Sequence, residues 1–254
     1  MIIDTHCHIQ MPPLDKDIEG TIKRANKCGV HKMIVVGCDL ELSKKAVEIA
    51  ENHDGVFAAI GLHPQDAKKF NEKMWAEFEE MAKNPNVVAI GETGLDYFKE
   101  YSPKEKQKEV YKKHIELALK VDKDKVLIIH NREADEDSLR ILQEYKVKKA
   151  VFHCYASGVE FARKVWSAGY MTSFTGIITY PKAEELRKVV EECPMECIMV
   201  ETDCPFLAPQ KYRGQINEPA YVVEVAAEIA RIKNKQVKEI EEITTRNAEG
   251  FFGI

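Results

Sequence analysis

The chain begins Met1-Ile2-Ile3-Asp4-Thr5-His6-Cys7-His8, a short apolar segment that runs directly into a His-x-His pair. In an open doubly wound α/β sheet, the turn after the first strand usually carries a glycine-rich phosphate-binding signature. Two histidines stand at that point here, so the opening segment favours the other common parallel α/β fold, the closed barrel. On an extended strand His6 and His8 point to the same side and can bind one cation together, whereas Cys7 points away.

Seven further short apolar segments follow, and amphipathic stretches lie between them. The predicted strands are Met1–Asp4, Met33–Val36, Val56–Ile60, Val87–Ile90, Val126–Ile129, Ala150–Phe152, Tyr170–Phe174 and Ile198–Val200. They are continuous apolar runs, which are typical of parallel strands covered on both faces. The average of about 32 residues for each repeat is the size of one βα unit. We therefore expect an α/β fold, a single (β/α)8 TIM barrel with C-terminal helices; the alternative is an open doubly wound sheet.

The segments between the strands have helical periodicity. Ser102-Pro103-Lys104-Glu105 predicts a helix start, with Ser102 as N-cap, Pro103 as the first helical residue and Glu105 completing a capping box, and the helix is expected to reach Val121. The pattern is helical again from Pro219 to Ile254. No linker of Pro, Gly or Ser divides the chain, so residues 1–254 are expected to form one domain.

The composition narrows the class of protein. With 44% hydrophobic and 31% charged residues, the chain can bury a core and keep a solvated surface. Its net charge of −5 gives no strong basic field that would attract nucleic acid, so a polyanion would have to be held locally. The seven cysteines form no C-x-x-C pair, and no segment resembles a signal peptide or a membrane span. We expect a cytoplasmic protein with reduced thiols, no membrane contact and no obligate protein partner.

Histidines and carboxylates cluster at the ends of the predicted strands. In a parallel barrel these ends meet at one mouth, where active sites are built. Five of the eight histidines follow predicted strands, and the other three lie in turn or helix contexts. The residues at the strand ends are His6, His8, His63, Glu92, His130, His153 and Asp203.

Four imidazoles and two carboxylates at one mouth are too many for a serine-type or a simple acid–base site. Such a set is best stabilised by divalent cations, and two cations can share it with Glu92 as the bridge. Paired metal ions can activate water at neutral pH and bind both oxygens of a phosphoryl displacement. Histidine-rich coordination suits Zn, Mn, Fe or Ni better than Mg, which prefers oxygen ligands.

Seven blocks of the sequence, in order, resemble the signatures of TatD-type metal-dependent deoxyribonucleases of the amidohydrolase superfamily. The resemblance extends from Asp4 to Gly253. The blocks are Asp4-Thr5-His6-Cys7-His8, Ile60-Gly61-Leu62-His63-Pro64, Gly91-Glu92-Thr93-Gly94-Leu95-Asp96-Tyr97, His130-Asn131-Arg132-Glu133-Ala134, Phe152-His153-Cys154-Tyr155, Ser173-Phe174-Thr175-Gly176 and Glu201-Thr202-Asp203-Cys204-Pro205.

The resemblance implies a (β/α)8 barrel and a dinuclear metal site. It assigns His6, His8, Glu92 and Asp203 to one ion, and Glu92, His130 and His153 to the other. Members of the family are described as DNases, often 3′-to-5′ exonucleases, and some relatives as aminoacyl-tRNA deacylases. The chain departs from the family in one loop, where Gln215 and Ile216 replace two basic residues. If those residues bind phosphates elsewhere in the family, polynucleotide binding should be weaker here.

Other residues near the strand ends have candidate roles. Asp203 is expected to orient the attacking water or take its proton. Glu92 is expected to contribute to catalysis by bridging the two metal ions. His63 is expected either to donate to a phosphate oxygen or leaving group or only to cap the strand before Pro64. Glu201 is a candidate partner for a ligating histidine. Candidate substrate contacts are Arg132 and Arg213, each with a local salt bridge as the alternative, and Tyr97 and Tyr155, which could stack on a base or only pack at the rim.

Three classes of function are compatible with these residues. The first is a nuclease acting on DNA, and the second is a hydrolase of a small ester, amide, phosphoester or aminoacyl-tRNA bond with the same site chemistry. The third is a metal-binding or nucleic-acid-binding protein without catalysis. An intact ligand set argues against the third class, because a scaffold does not need to hold a reactive water.

Overall fold

The computed structural model describes all residues 1–254 and contains a sheet of eight parallel strands in the order β1 to β8. Each strand pairs with the next strand in the chain, as expected when every crossover carries one helix. The predicted α/β barrel is therefore confirmed. The strands are β1 (Ile2–Cys7), β2 (Val30–Val36), β3 (Val56–Ile60), β4 (Val87–Asp96), β5 (Val126–Arg132), β6 (Ala150–Phe152), β7 (Met171–Phe174) and β8 (Ile198–Val200).

Nine α-helices surround the sheet, together with short 3-10 turns. Seven helices connect successive strands and two follow β8, so the expected C-terminal helices are present. The helices are α1 (Ile18–Lys27), α2 (Leu40–Asn52), α3 (Glu72–Met81), α4 (Lys104–Val121), α5 (Asp135–Glu144), α6 (Val159–Ser167), α7 (Glu184–Glu192), α8 (Val222–Lys233) and α9 (Val237–Phe252). None of them is long and apolar enough to cross a membrane.

The predicted start of α4 was wrong by one position. Pro103 occupies the N-cap instead of the first helical position, and the cap makes no side-chain hydrogen bond. The Ser102 hydroxyl is used elsewhere: it accepts from Lys68 N at 2.9 Å and donates to Gln65 O at 2.7 Å. The Ser102 side chain therefore bonds to the loop after β3 and does not cap α4 as the local sequence had predicted.

Two apolar layers position the mouth of the barrel. A cluster of 57 buried residues lies between the strands and the helices, and a second cluster of 12 takes at least one residue from every strand and fills the interior. Ala248 and Phe252 of α9 belong to the interior cluster, so the last helix covers one end of the barrel. The polar strand ends lie at the other end. His130 and His153 keep the inward parity of Ile128 and Val151, whereas register shifts in β1 and β4 bring His6, His8 and Glu92 inward.

The barrel closes through contacts between β1 and the chain just after β8. Asp203 N donates to His6 O at 2.9 Å, and His8 N donates to Cys204 O at 2.8 Å. The buried Asp4 carboxylate accepts from Thr202 N at 2.9 Å and from Thr202 Oγ1 at 2.6 Å. The seam of the barrel therefore passes through the segments that carry candidate ligands.

Buried His114 makes the fold sensitive to acid. Its Nδ1 donates to Val110 O at 2.8 Å and its Nε2 accepts from Leu62 N at 3.0 Å, which requires the neutral ring. Burial lowers its pKa to about 4. The unfolded chain binds this proton below about pH 6.5, so the contribution of His114 is complete above that pH and is lost as the pH falls towards 4, by about 3 kcal/mol.

We predict that His114→Gln flattens the dependence of the free energy of unfolding on pH between 6.5 and 4, measured by urea unfolding at a series of pH values. His31→Gln, at an exposed position, is the control and should keep the wild-type dependence. Identical pH profiles for His114→Gln and the wild type would contradict this role of the buried ring.

Candidate metal centre

Glu92 projects into the mouth of the barrel at a bend in β4. The register of β4 against β5 shifts around this residue, as in a β-bulge, which re-aims side chains. Gly91 and Gly94 make the bend possible with φ values of 156° and 135°. A Cβ atom at Gly91 would lie 2.7 Å from Ile128, and one at Gly94 would lie 2.1 Å from His130 O. The two glycines therefore let β4 approach β5 closely on both sides of Glu92.

One oxygen of the Glu92 carboxylate faces three imidazoles. Oε1 lies 2.8 Å from His130 Nδ1, 2.9 Å from His153 Nε2 and 3.4 Å from His63 Nε2. The Glu92 side chain is only 5% exposed, so these contacts replace most of its water.

The other oxygen faces a second group, formed by His6, His8 and Asp203. Glu92 Oε2 lies 3.6 Å from His6 Nε2 and 3.9 Å from His8 Nε2. The two imidazole nitrogens are 3.1 Å apart, and Asp203 Oδ1 lies 3.2 Å from His8 Nε2 and 3.7 Å from His6 Nε2. His6, His8 and Asp203 thus form one close set of ligand atoms, and Glu92 Oε2 lies within 3.9 Å of both of its imidazole nitrogens.

The hydrogen bond behind His8 determines which nitrogen can act as a ligand. Nδ1 lies 2.7 Å from Val36 O, and because a carbonyl can only accept, this nitrogen carries the proton. In the neutral ring the lone pair is therefore on Nε2 and points at Asp203. A lone pair directed at a carboxylate oxygen is favourable only when a proton or a cation lies between them, so His8 is arranged as a ligand.

Carboxylates stand behind two other imidazoles. Asp96 Oδ2 lies 3.4 Å from His130 Nε2, and Glu201 Oε1 lies 3.4 Å from His153 Nδ1. Neither contact has the angle of a hydrogen bond, but a carboxylate this close to the far nitrogen favours the proton there and leaves the near nitrogen free to bind a cation. Glu201 is itself fixed by the Cys154 backbone N–H at 2.7 Å and by the Ser173 hydroxyl.

The charges of this cluster depend on one another. Burial alone would raise the pKa of the Glu92 carboxyl, but His153, His63 and His130 hold that pKa well below its usual range. Burial would likewise lower the pKa of His153, yet the Glu92 and Glu201 carboxylates raise it well above the ordinary value. The carboxylates are stabilised by positive charge on the imidazoles, and a divalent cation can supply the same charge in place of those protons.

The donor set fits divalent cations. In the group of His6, His8, Glu92 Oε2 and Asp203, the distance between the two imidazole nitrogens and those from each nitrogen to the two carboxylates run from 3.1 to 3.9 Å. Ligands of a tetrahedral ion with bonds of 2.0–2.1 Å are about 3.3 Å apart. Two sets of imidazole nitrogens, joined by the two oxygens of one carboxylate, provide for two ions.

The structure brings together all six residues predicted as metal ligands, and His63 lies beside them. His63 Nδ1 accepts from Gln65 N at 3.2 Å, so the neutral ring carries its proton on Nε2 and points it at Glu92 Oε1. His63 therefore both caps the turn after β3 and presents a hydrogen-bond donor to the site. Glu92 and His130 lie inside β4 and β5, not after them as predicted, because these strands continue beyond their apolar residues.

The two tyrosines predicted to stack on substrate do not face the site. Tyr155 is 4% exposed, donates to Gly158 O at 2.9 Å and packs against Phe174, so stacking on a base is excluded. Tyr97 donates to Asp137 at 2.7 Å on the helical side of the barrel and does not line the cavity at the mouth. The stacking role was wrong for both tyrosines, and Tyr155 follows the packing alternative, because side chains that follow a strand can turn outward into the layer of helices.

The two arginines have different positions. Arg132 lines the cavity, and its guanidinium carbon lies 3.9 Å from the centre of the Phe98 ring; no salt bridge to the following helix forms. Arg213 stacks on Tyr180 at 4.0 Å and does not line the cavity, so its predicted entry into the mouth was wrong. The neighbouring Gln215 and Ile216 are exposed and lie outside the cavity lining as well.

The cavity at the mouth has a volume of about 700 Å³. Two features of the site were not predicted from the sequence. One is the buried Asp96 carboxylate close to His130, and the other is the Cys38 thiol, which lines the cavity 3.4 Å from Glu92 Oε2. Parity along the strands would have indicated Cys38, because Ile34 and Val36 of β2 face the interior and Cys38 is the next residue in that series.

Comparison with known proteins places the chain in a family. Residues 3–253 match the family model described as TatD related DNase. The chain is 41% identical over its full length to the uncharacterized metal-dependent hydrolase YabD of Bacillus subtilis, and 34% identical to YcfH of Escherichia coli K12, of which it covers 96%. The crystal structure of YjjV, a TatD homologue from Escherichia coli K12, superposes with a TM-score of 0.94 at 29% identity and covers 100% of this chain and 98% of YjjV. The chain belongs to the TatD-related DNase family of metal-dependent hydrolases.

Proposed function

We propose that this protein hydrolyses phosphodiester bonds of DNA, releasing nucleotides from a 3′ end, with two divalent cations held at Glu92. The observation that carries the proposal is that the two oxygens of one buried carboxylate face two separate sets of imidazole nitrogens. Nitrogen-rich coordination favours Zn²⁺, Mn²⁺ or another transition metal over Mg²⁺. His6, His8, Glu92 and Asp203 would hold one ion, and Glu92, His130 and His153 the other.

Asp203 is the proposed proton acceptor. When bound, the cations supply Lewis acidity, lower the pKa of water and offset charge on the phosphoryl oxygens. Asp203 lies in a left-handed turn after β8 with φ of 54°, and its side chain is 16% exposed against 5% for Glu92. Burial would raise the pKa of Asp203, but His8 and His6 lower it, so the carboxylate is ionised at neutral pH. It can therefore take a proton from the attacking water.

His63 is the proposed hydrogen-bond donor to substrate. Burial lowers its pKa, so the ring is neutral at pH 7. With Nδ1 occupied by the Gln65 N–H, the Nε2 proton is the one available at the cavity. A neutral donor at this position can stabilise charge that develops on a phosphoryl oxygen.

Arg132 is the proposed anchor for a substrate phosphate. It is the only lysine or arginine that lines the cavity. The planar guanidinium can bind two phosphate oxygens at once, and its stacking on Phe98 limits its orientation. One cationic side chain can contact few phosphates. The site is therefore better suited to binding the end of a single DNA strand than to binding a long duplex.

Aromatic side chains at the rim provide surfaces for bases. Tyr101 and Phe206 are 57% and 54% exposed, and both line the cavity. Stacking on such rings contributes about 1–3 kcal/mol per base and requires bases that are not paired. These residues take the role that the sequence assigned to Tyr97 and Tyr155, and they favour a single-stranded end as substrate.

A second candidate is hydrolysis of a small phosphodiester or other ester. It is favoured by the low positive charge of the mouth, where Arg132 is the only lysine or arginine of the lining. The catalytic groups would be the same, and only the contacts beyond the scissile bond would differ.

We predict that protein treated with chelator and reloaded with Zn²⁺, Mn²⁺ or Co²⁺ releases nucleotides from single-stranded DNA. Asp203→Asn should lower kcat by about 100-fold or more because it removes the proton acceptor. His130→Ala should lose activity because it removes a ligand, and His31→Ala at an exposed position should not.

The assay panel includes p-nitrophenyl esters and phosphodiesters beside the DNA. Turnover of the small substrates alone would select the second candidate. Equal behaviour of Asp203→Asn and the wild type on every substrate would indicate a protein without catalysis.

We predict that Arg132→Ala raises KM for single-stranded DNA about tenfold and reduces the salt dependence of binding, because one phosphate contact is lost. Arg213→Ala, which removes the same charge outside the cavity, is the matched control and should change KM less than about twofold. Binding is measured by fluorescence anisotropy across a range of salt concentrations. Equal effects of the two substitutions would show that overall charge, and not the position of Arg132, attracts the substrate.

A further inference from the structure

Cys38 is held at the edge of the candidate metal centre by the backbone. It follows β2 with the same inward parity as Ile34 and Val36. His63 N donates to Cys38 O at 2.8 Å, and Gly37 N donates to Ala59 O at 2.9 Å. These hydrogen bonds to β3 and to the loop after it fix the backbone of Cys38.

The thiol lies on the side of the first ligand group. Its sulfur is 3.4 Å from Glu92 Oε2, the oxygen that faces His6 and His8. It is also 3.8 Å from His8 Nδ1, the nitrogen that donates to Val36 O and is not the ligand atom of that ring. His8, Cys38 and Glu92 form a set whose ligand atoms all lie within 4.8 Å of one another. A sulfur and an oxygen bound to the same zinc ion, with bonds of 2.3 Å and 2.0–2.2 Å, are about 3.1–3.8 Å apart at the ligand angles of 90–120° that a five-coordinate ion allows. The observed separation, at which the thiol donates a hydrogen bond to Oε2, lies within the range for shared ligation, so an ion could replace the thiol proton without moving either residue far.

We infer that Cys38 is a thiolate ligand of the ion held by His6, His8, Glu92 and Asp203, an inference that rests on the proposed metal centre. As the sulfur–metal bond forms, the thiol proton passes to solvent, and no oxidation or reduction takes place. A sulfur ligand shifts the preference of the site towards Zn²⁺, Co²⁺ or Cd²⁺ and away from Mg²⁺ and Mn²⁺. Cys38 thus contributes to the choice of metal.

A second cysteine of the same cavity provides the control. Cys154 also lines the mouth, but its sulfur is 3.8 Å from Thr175 Oγ1 and it belongs to none of the close sets of ligand atoms. Cys38→Ser and Cys154→Ser are therefore matched substitutions that differ in their distance from the ligand group.

The test is X-ray absorption spectroscopy of the full chain loaded with Zn²⁺. We expect a sulfur scatterer at about 2.3 Å from zinc in the wild type and in Cys154→Ser, and its absence in Cys38→Ser. Competition with a chromogenic chelator should show Zn²⁺ affinity at least about tenfold lower in Cys38→Ser, with Mn²⁺ affinity changed less than about twofold.

The outcomes separate the two proposals. Retention of zinc with only nitrogen and oxygen scatterers in the wild type would overturn ligation by Cys38 and leave the metal centre standing. Failure of the wild type to retain any of the metals would overturn both. If Cys38→Ser does not fold, alkylation of the wild type followed by mass spectrometry decides: Zn²⁺ should protect Cys38 from iodoacetamide, and unchanged alkylation of Cys38 would overturn the inference.

Discussion

One buried negative charge, the Glu92 carboxylate, organises the mouth of the barrel. It is 5% exposed and is surrounded by imidazoles on both of its oxygens, so it can remain ionised only because those rings or a cation supply positive charge. The bend at Gly91 and Gly94 places the carboxylate at this point. The hydrogen bond behind His8 and the carboxylates close to the far nitrogens of His130 and His153 determine which nitrogen of each ring faces inward.

The same residues connect the site to the closure of the fold. His6, His8 and Asp203 lie on the two segments that meet at the seam, and backbone hydrogen bonds join His6 to Asp203 and His8 to Cys204. Asp4 secures the seam through Thr202, and burial raises its pKa to about 8 against the opposing hydrogen bonds. The first ligand group is therefore complete only when the barrel is closed, so assembly of the fold and of the site are one event.

The sequence allowed the barrel, three strands with their full bounds and the convergence of six polar residues to be predicted, because apolar runs and strand-end parity are local signals. It did not reveal the ends of β4 and β5, since these strands continue to pair beyond their apolar residues, with Gly94 opposite His130. The stacking role given to Tyr155 was wrong because the orientation of this ring depends on packing against Phe174. The capping role given to Ser102 was wrong because its hydrogen-bond partners lie in the loop after β3. Such contacts between distant segments have no signature in a single sequence.

The balance of charge at the mouth gives bound cations a second role. Four carboxylates line the cavity, Asp39, Asp66, Glu92 and Asp203, and Arg132 is the only arginine or lysine among the lining residues. With a net charge of −5 on the whole chain, the protein alone has little attraction for a phosphodiester. Cations at the Glu92 cluster would invert the local field, so the groups that enable hydrolysis would also hold the anionic substrate. Cys38 would help to select the metal that binds. Because the bound metal would hold the anionic substrate, that selection would also affect substrate binding.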